Sequence, residues 1–457
     1  MYLAKVFAGP GRGRSLVATH GWRSRGLALV AVIVAGMAVH ACAKDDAAGR
    51  DEADATTIPT NNPARQWYRV GFAKEGSPEI PLFLELPAAH SGDKAAIATG
   101  DWLPRGLASL ASIELAADTT WDGTSLVIDF KIYNTKIVAT ASAPGGELRG
   151  NFISSSKSWG VATMPFRATP VAIPDPSRRF LLPLSKPPID LGTPTTIFKV
   201  SFPDSGMGKL VLDQVSPGVF TADLSFQSGN KVFLAGNGRG NAMWLSTFDG
   251  TSPYLLTLEL ATDRKHVSGT WTAGQALEWK ETLTGTTSAD FELPLKVSLA
   301  GKQQRLSVPQ LGELRYQGKP YIVELAGGWC ATCKVAAPFL VDLYRRYHGK
   351  GLEIITLIYE FTDDKAYNQA QAKLFKDVYG ITWDVIAVDG SVDSFADIIP
   401  SQLKDVDVAG FPIALFVDKK GILRGLHAGF PSPSAKAEFS SVTREFETTV
   451  KALLDEP

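Results

Sequence analysis

Cys330 and Cys333 are separated only by Ala331 and Thr332, and the residues on either side restrict what the chain around them can form. Residues 321–326 are apolar except for Glu324 and read as a strand; residues 331–347 place Ala336, Leu340, Leu343 and Tyr344 at helical spacing. A strand that runs into Cys-x-x-Cys at a helix start offers the first sulfur unpaired backbone N–H groups and the positive end of the helix dipole. Both favour a thiolate. Moving a thiol from about 8.5 to about 7 takes roughly 2 kcal/mol and converts a few per cent of thiolate at neutral pH into about half. Cys333, one turn further along the same face, is placed to resolve a mixed disulfide. The expected roles are therefore Cys330 as nucleophile and Cys333 as resolving thiol, the pair cycling as a redox-active disulfide.

The 457 residues contain one other cysteine, Cys42, so none remains for a separate structural disulfide. A zinc site would need two further ligands at suitable spacing, and no second paired motif accompanies the first. His348 and His427 stand alone. No metal and no cofactor is expected. The formal net charge of −1 gives no basic surplus of the kind nucleic-acid binding requires, so no nucleic-acid partner is expected.

The beginning of the chain has the pattern of an export signal. Arg12, Arg14, Arg23 and Arg25 precede residues 27–39, which are apolar except for glycine. This fits a charged region followed by an apolar run of about 7–15 residues, short of the roughly 20 that a spanning helix needs. The run ends Val39-His40-Ala41-Cys42, which resembles a bacterial lipobox with His40 as a departure, and that resemblance implies lipidation at Cys42. An uncleaved anchor or ordinary cleavage nearby are the other readings. Residues 43–65 hold almost no large apolar side chains and read as a flexible tether. The expected divisions are a signal peptide over 1–41 and a lipid-anchored tether over 42–65.

From residue 66 to 302 the sequence favours strands. Residues 68–72, 81–86, 125–133 and 136–141 alternate or are β-branched, and so do 196–202, 218–226, 231–234, 254–260 and 267–272. A proline-dense stretch over 171–195 divides a first β-rich part, 66–170, from a second, 196–302. Residues 68–72 are faintly echoed by 198–202, and Gly150-Asn151-Phe152 by Gly269-Thr270-Trp271. Two β subdomains and one larger domain both fit, with barrel- or sandwich-like packing. The glycine-rich run 236–240 is expected to be a β-turn rather than a phosphate loop, because no helix pattern follows it.

From residue 303 strands and helices alternate: strands at 352–359, 383–388, 413–417 and 422–427, helices at 331–347, 365–379 and 435–454. The fold class expected for 303–457 is α/β, a mixed sheet flanked by helices. Here the motifs become specific. Trp329 stands directly before Cys330, Pro338 lies eight positions after it, and Val408-Ala409-Gly410-Phe411-Pro412-Ile413 follows downstream. With Leu426-His427-Ala428-Gly429-Phe430-Pro431 near the end, residues 303–457 resemble the thioredoxin superfamily, particularly TlpA-like thiol-disulfide reductases of the bacterial envelope. The resemblance implies a cis peptide before Pro412 and substrate docking beside Trp329, Phe411 and Pro412. Glu324, six positions before Cys330, stands where thioredoxins carry a buried acid. A carboxyl buried there has its pKa raised by desolvation and can exchange a proton with Cys333. Residues 245–250 resemble a segment that accompanies TlpA-like domains in some envelope proteins.

These readings lead to one expectation: a periplasm-facing lipoprotein that reduces or exchanges disulfides in exported proteins. It would be re-reduced by a membrane electron donor and held at the membrane by its lipid anchor, inner or outer membrane being undecided. A thioredoxin-fold peroxidase, a disulfide oxidant, and a β-domain binding lipoprotein with a non-catalytic C-terminal domain are the alternatives.

Overall fold

The computed structural model describes residues 65–74, 76–87, 96–98, 117–130, 134–156, 160–172, 174–227, 229–274, 277–293, 305–307, 316–392, 398–400, 410–431, 433 and 436–456. The expected signal, tether and lipidation site at Cys42 lie outside these residues, as do Val408 and Ala409.

Eight strands form a first antiparallel sheet: β1 (Arg65–Phe72), β2 (Ile80–Pro87), β3 (Ala96–Ala98), β4 (Ala117–Trp121), β5 (Ser125–Phe130), β6 (Thr135–Ala141), β7 (Leu148–Ser156) and β8 (Gly160–Val171). Their order is β3-β2-β1-β8-β7-β6-β5-β4. Alternation in the sequence becomes alternation in burial, as along β5, where Leu126, Ile128 and Phe130 are buried and their neighbours half-exposed.

The next eight strands close into a barrel: β9 (Thr195–Phe202), β10 (Gly206–Ser216), β11 (Val219–Phe226), β12 (Lys231–Arg239), β13 (Ala242–Phe248), β14 (Pro253–Leu260), β15 (His266–Ala273) and β16 (Trp279–Thr287), with β16 pairing back to β9. Eight strands enclose an interior that side chains just fill. Phe198, Leu210, Phe220, Leu234, Leu256 and Trp271 belong to a core that is the barrel's own.

The two sequence echoes occupy matching places. β1 and β9 each open a set of eight strands, and Gly150-Asn151-Phe152 and Gly269-Thr270-Trp271 lie on the seventh strand of each. The run 236–240 corrects an expectation. Residues 236–239 belong to strand β12, and only Gly240, at φ +66°, stands in the hairpin that follows. Glycine is needed at 236 because β13 passes so close that a Cβ there would meet the Trp244 carbonyl oxygen at 1.8 Å.

The C-terminal region is a five-stranded mixed sheet, β19-β18-β17-β20-β21, built from β17 (Tyr321–Ala326), β18 (Glu353–Glu360), β19 (Asp384–Ser391), β20 (Ile413–Val417) and β21 (Leu423–Ala428). β17 runs parallel to β18 and antiparallel to β20. β17, β18 and β20 are buried along their whole length, as expected of strands covered on both faces. The helices are α1 (Ala331–Tyr347), α2 (Lys365–Tyr379) and α3 (Lys436–Asp455). Asp364 caps α2 by accepting from the Tyr367 amide, and Gly380, at φ 62°, ends it.

The first sheet and the C-terminal sheet share one continuous core, which Phe248 from the end of β13 enters. Its ring centroid lies 5.0 Å from that of Phe72, 5.6 Å from Phe130 and 5.4 Å from Phe152. Buried Arg179 ties the first sheet to the barrel. Its Nε donates to Ser246 Oγ at 3.1 Å, and Ser246 Oγ donates to the Pro81 carbonyl at 2.8 Å.

Candidate active site

The parallel pairing of β17 and β18 places their carboxyl ends side by side, which is where open α/β sheets carry their functional loops. From the end of β17 the chain passes through Gly327-Gly328-Trp329 to Cys330, the N-cap of α1. Cys330 and Cys333 form a disulfide. The Cys333 amide donates to Cys330 Sγ at 3.1 Å, so the first sulfur receives one of the unpaired N–H groups of the helix start. Cys330 is 4% exposed and Cys333 fully buried.

Three consecutive residues at the end of β18 hold this loop. The Tyr359 carbonyl accepts from Trp329 Nε1 at 2.8 Å, Glu360 Oε1 accepts from the Gly328 amide at 2.8 Å, and the Phe361 ring lies 4.7 Å from that of Trp329. Gly328 suits the contact, because a Cβ there would fall 2.5 Å from Glu360 Oε1.

The peptide between Phe411 and Pro412 is cis. Thr332 Oγ1 donates to the Phe411 carbonyl at 3.2 Å, and the Phe411 ring stands edge-on to Trp329 at 5.5 Å. On its other side the Pro412 carbonyl accepts from the Gly429 amide at 2.8 Å. Gly429 in turn abuts the β11–β12 hairpin of the barrel, where a Cβ on it would strike the Gly229 oxygen at 2.0 Å. The segment from Trp329 to Cys333 and the Phe411–Pro412 peptide, far apart in sequence, therefore meet at one end of the central strands β17 and β20.

Glu324 is 1% exposed in the middle of β17, between Thr356 of β18 and Ala414 of β20. Its Oε2 accepts from Thr356 Oγ1 at 2.7 Å, and Oε1 has no hydrogen bond among the described residues. Burial pushes its pKa up to about 7, against the smaller opposing effect of the Thr356 hydroxyl. No hydrogen bond joins Glu324 directly to either cysteine among the described residues.

Glu360 is a second buried carboxyl, raised to about 7 by burial while the Gly328 amide and the charge of Lys334 pull it down. Sequence reading passed over Glu360 and Lys334. Glu360 terminates an apolar run next to the strand that carries the dithiol, and that was the available signal. Lys334 had none, since a lysine in a first helical turn is ordinarily solvated.

No family model matches the chain. It is similar to the thiol-disulfide oxidoreductase ResA of Geobacillus kaustophilus, 26% identical over 149 residues that span 32% of this chain and 69% of that protein. A ResA of Bacillus thuringiensis is 30% identical over 105 residues, 23% of this chain and 52% of the relative. The thioredoxin-like protein YneN of Bacillus subtilis is 22% identical over 145 residues, 32% and 71% of the two chains. Among solved structures, a thiol:disulfide interchange protein of Chlorobium tepidum covers 35% of this chain and 90% of its own, with 19% identity and a TM-score of 0.24.

A dithiol at a helix start beside a cis-proline, on a mixed sheet, together with sequence likeness to oxidoreductases of this chemistry, defines the class. The chain is a thiol-disulfide oxidoreductase, similar over its C-terminal region to thioredoxin-like proteins. Within that class the sequence likeness runs to proteins named ResA.

Proposed function

We propose that the protein is an extracytoplasmic, membrane-tethered reductase of protein disulfides. The observation that carries the chemistry is the Cys333 amide donating to Cys330 Sγ at the start of α1, beside the cis-proline loop. In the reduced enzyme this donor and the helix dipole favour the Cys330 thiolate. The thiolate attacks one sulfur of a substrate disulfide, forming a mixed disulfide and expelling the other substrate sulfur as a thiolate that takes a proton from water. Cys333 gives its proton to the Glu324 carboxylate and attacks Cys330 Sγ. The second substrate thiolate leaves and is protonated, and the Cys330–Cys333 disulfide forms. Two electrons have passed from the dithiol to the substrate. A carboxyl raised to about 7 suits Glu324 to this exchange at neutral pH, because it both accepts and returns the proton readily.

Trp329, Phe411 and Pro412 form the docking edge in this reading, and a membrane thiol carrier restores the dithiol. The Arg-flanked apolar run ending at Cys42 supports export and lipid anchoring on the periplasmic side. The test is Cys333→Ser expressed in the native host. Exported proteins should be captured as mixed disulfides through Cys330 and freed by reductant. A dithiol that cycles in the purified protein while Cys333→Ser captures no protein would overturn the assignment of protein substrates.

A further inference from the structure

One face of the C-terminal sheet carries two ionisable side chains in a single row. Glu324 on β17 is paired with Ala414 on β20, and Ala414 with His427 on β21, both antiparallel and without a bulge. Directly paired residues point to the same face, so Glu324, Ala414 and His427 stand side by side. Two strand spacings put the glutamate and the histidine roughly 10 Å apart at the backbone, with only an alanine methyl between them. Ring contacts show that α1 and α3 cover this face. Trp383 donates to Thr356 Oγ1, the donor to Glu324, and its ring lies 5.1 Å from that of Tyr344 on α1. The Phe446 ring of α3 lies 5.1 Å from His427 and 5.5 Å from Phe339 of α1.

Two atoms of this row lack partners. Glu324 Oε1 and His427 Nε2 are both buried, and neither has a hydrogen bond among the described residues. Buried polar atoms are rarely left so, and water is their ordinary partner where there is room. Ala414 is 5% exposed although Ile413 and Leu415 beside it are fully buried, so a water-sized space touches the alanine. The other nitrogen of His427 faces outward: Nδ1 lies 3.5 Å from Oε1 of Glu445 on α3, whose side chain is 59% exposed. The hydrogen bond from His427 holds Glu445 below the usual carboxylate range, against the effect of its partial burial, and the charge of Lys231 from the barrel adds to the lowering. Lys231 is itself paired with Glu438, and β20 contributes only Ala414 and Phe416 to this face. With its proton on Nδ1, towards the carboxylate, the imidazole keeps Nε2 as an acceptor turned away from solvent.

We propose that His427 passes the proton taken up by Glu324 to solvent, through water held beside Ala414, and so serves the exchange as a positioning residue acting through Glu324. The protons balance. Cys333 gives its proton to the Glu324 carboxylate as its sulfur attacks Cys330 Sγ. The Glu324 carboxyl then gives a proton to the water, and the water gives one to His427 Nε2. The imidazolium, facing the Glu445 carboxylate, releases a proton to bulk water. Reduction of the disulfide runs the path backwards. This rests on the exchange chemistry proposed above and supplies the route by which a carboxyl only 1% exposed is reset between turnovers.

In the experiment the reduced full chain is mixed with glutathione disulfide, quenched in acid at intervals and weighed by mass spectrometry. This separates formation of the Cys330 mixed disulfide from its resolution by Cys333. His427→Gln should leave formation as in wild type and slow resolution about tenfold near neutrality. Adding it to Glu324→Gln should slow resolution no further than Glu324→Gln alone, because the path begins at Glu324. His427→Ala leaves room for free imidazole, which should restore resolution, whereas a loss of packing is not restored this way. If neither His427 variant folds, Glu445→Gln at the exposed end should slow resolution a few-fold. Resolution at the wild-type rate in the folded variant, a loss that adds to that of Glu324→Gln, or a loss that imidazole does not relieve overturns the path. A wild-type chain that never forms the internal disulfide overturns the exchange reading instead, so the two failures are distinct.

Discussion

The barrel and the redox sheet each bury a glutamate, and they treat it in opposite ways. Glu281 on β16 is 4% exposed and accepts from the Asp204 amide at 2.6 Å, the Ser205 amide at 2.8 Å and Ser205 Oγ at 2.6 Å. Its oxygens are solvated by the protein, and it pins the turn between β9 and β10. Glu324 on β17 is buried to a similar degree, yet it receives a single hydroxyl and stands among strands buried on both faces. The first carboxylate belongs to architecture. The second is kept with one oxygen unbonded among the described residues, at a cost that packing alone would not retain, and that marks it for proton chemistry.

The largest expected effect breaks or confirms this contrast through pH. Glu324 holds its proton up to about 7 in the folded chain, against an ordinary 4.5. Between those values the folded state binds a proton that the unfolded state releases, so stability falls as pH rises through that window. The loss is complete above the folded value and amounts to about 3 kcal/mol. Glu324→Gln cannot ionise. It should match wild type at pH about 4 and exceed it by about 3 kcal/mol at pH about 8 in denaturant titrations of the oxidised protein. Exchange by the reduced variant should slow by about tenfold or more near neutrality. Stability curves that run parallel from acid to alkaline pH would place Glu324 with Glu281.

The same contrast shows how far the sequence could be read. Helices 331–347 and 365–379 were legible to the residue, because amphipathic spacing and the neighbouring Asp364 and Gly380 specify their ends locally. The pairing of Cys330 with Cys333, the burial of Glu324 and the cis bond before Pro412 were legible because each lies in a short motif. Barrel- or sandwich-like packing was expected of the β-rich part, but the choice of a closed barrel for β9–β16 was not legible, since it depends on β16 meeting β9, a pairing that leaves no local mark. Glu360 had a local signal, the end of an apolar run, but its contact with the Gly328 amide depends on how β17 and β18 pair, which the sequence does not mark.

A smaller effect is expected in the barrel. Glu281→Ala leaves two amides and a hydroxyl without their acceptor, and water can reach this partly buried turn, so the loss should be about 2 kcal/mol. The reduction potential of the dithiol should stay as in wild type. A potential that moves with Glu281→Ala would show that this turn of the barrel is coupled to the dithiol.

The smallest effect belongs to the contact that joins α1 to the cis-proline loop. Thr332 Oγ1 donates to the Phe411 carbonyl at 3.2 Å and lies 3.7 Å from Cys330 Sγ. Thr332→Ala removes a half-buried hydrogen bond worth about 1 kcal/mol, and Thr332→Ser retains it. If the bond serves to hold the docking edge against the dithiol, the alanine variant should lose a few-fold in exchange with a protein disulfide while a small-molecule disulfide reacts as before. The serine variant should recover the difference. Equal losses on both substrates would assign Thr332 to the sulfur itself rather than to the docking edge.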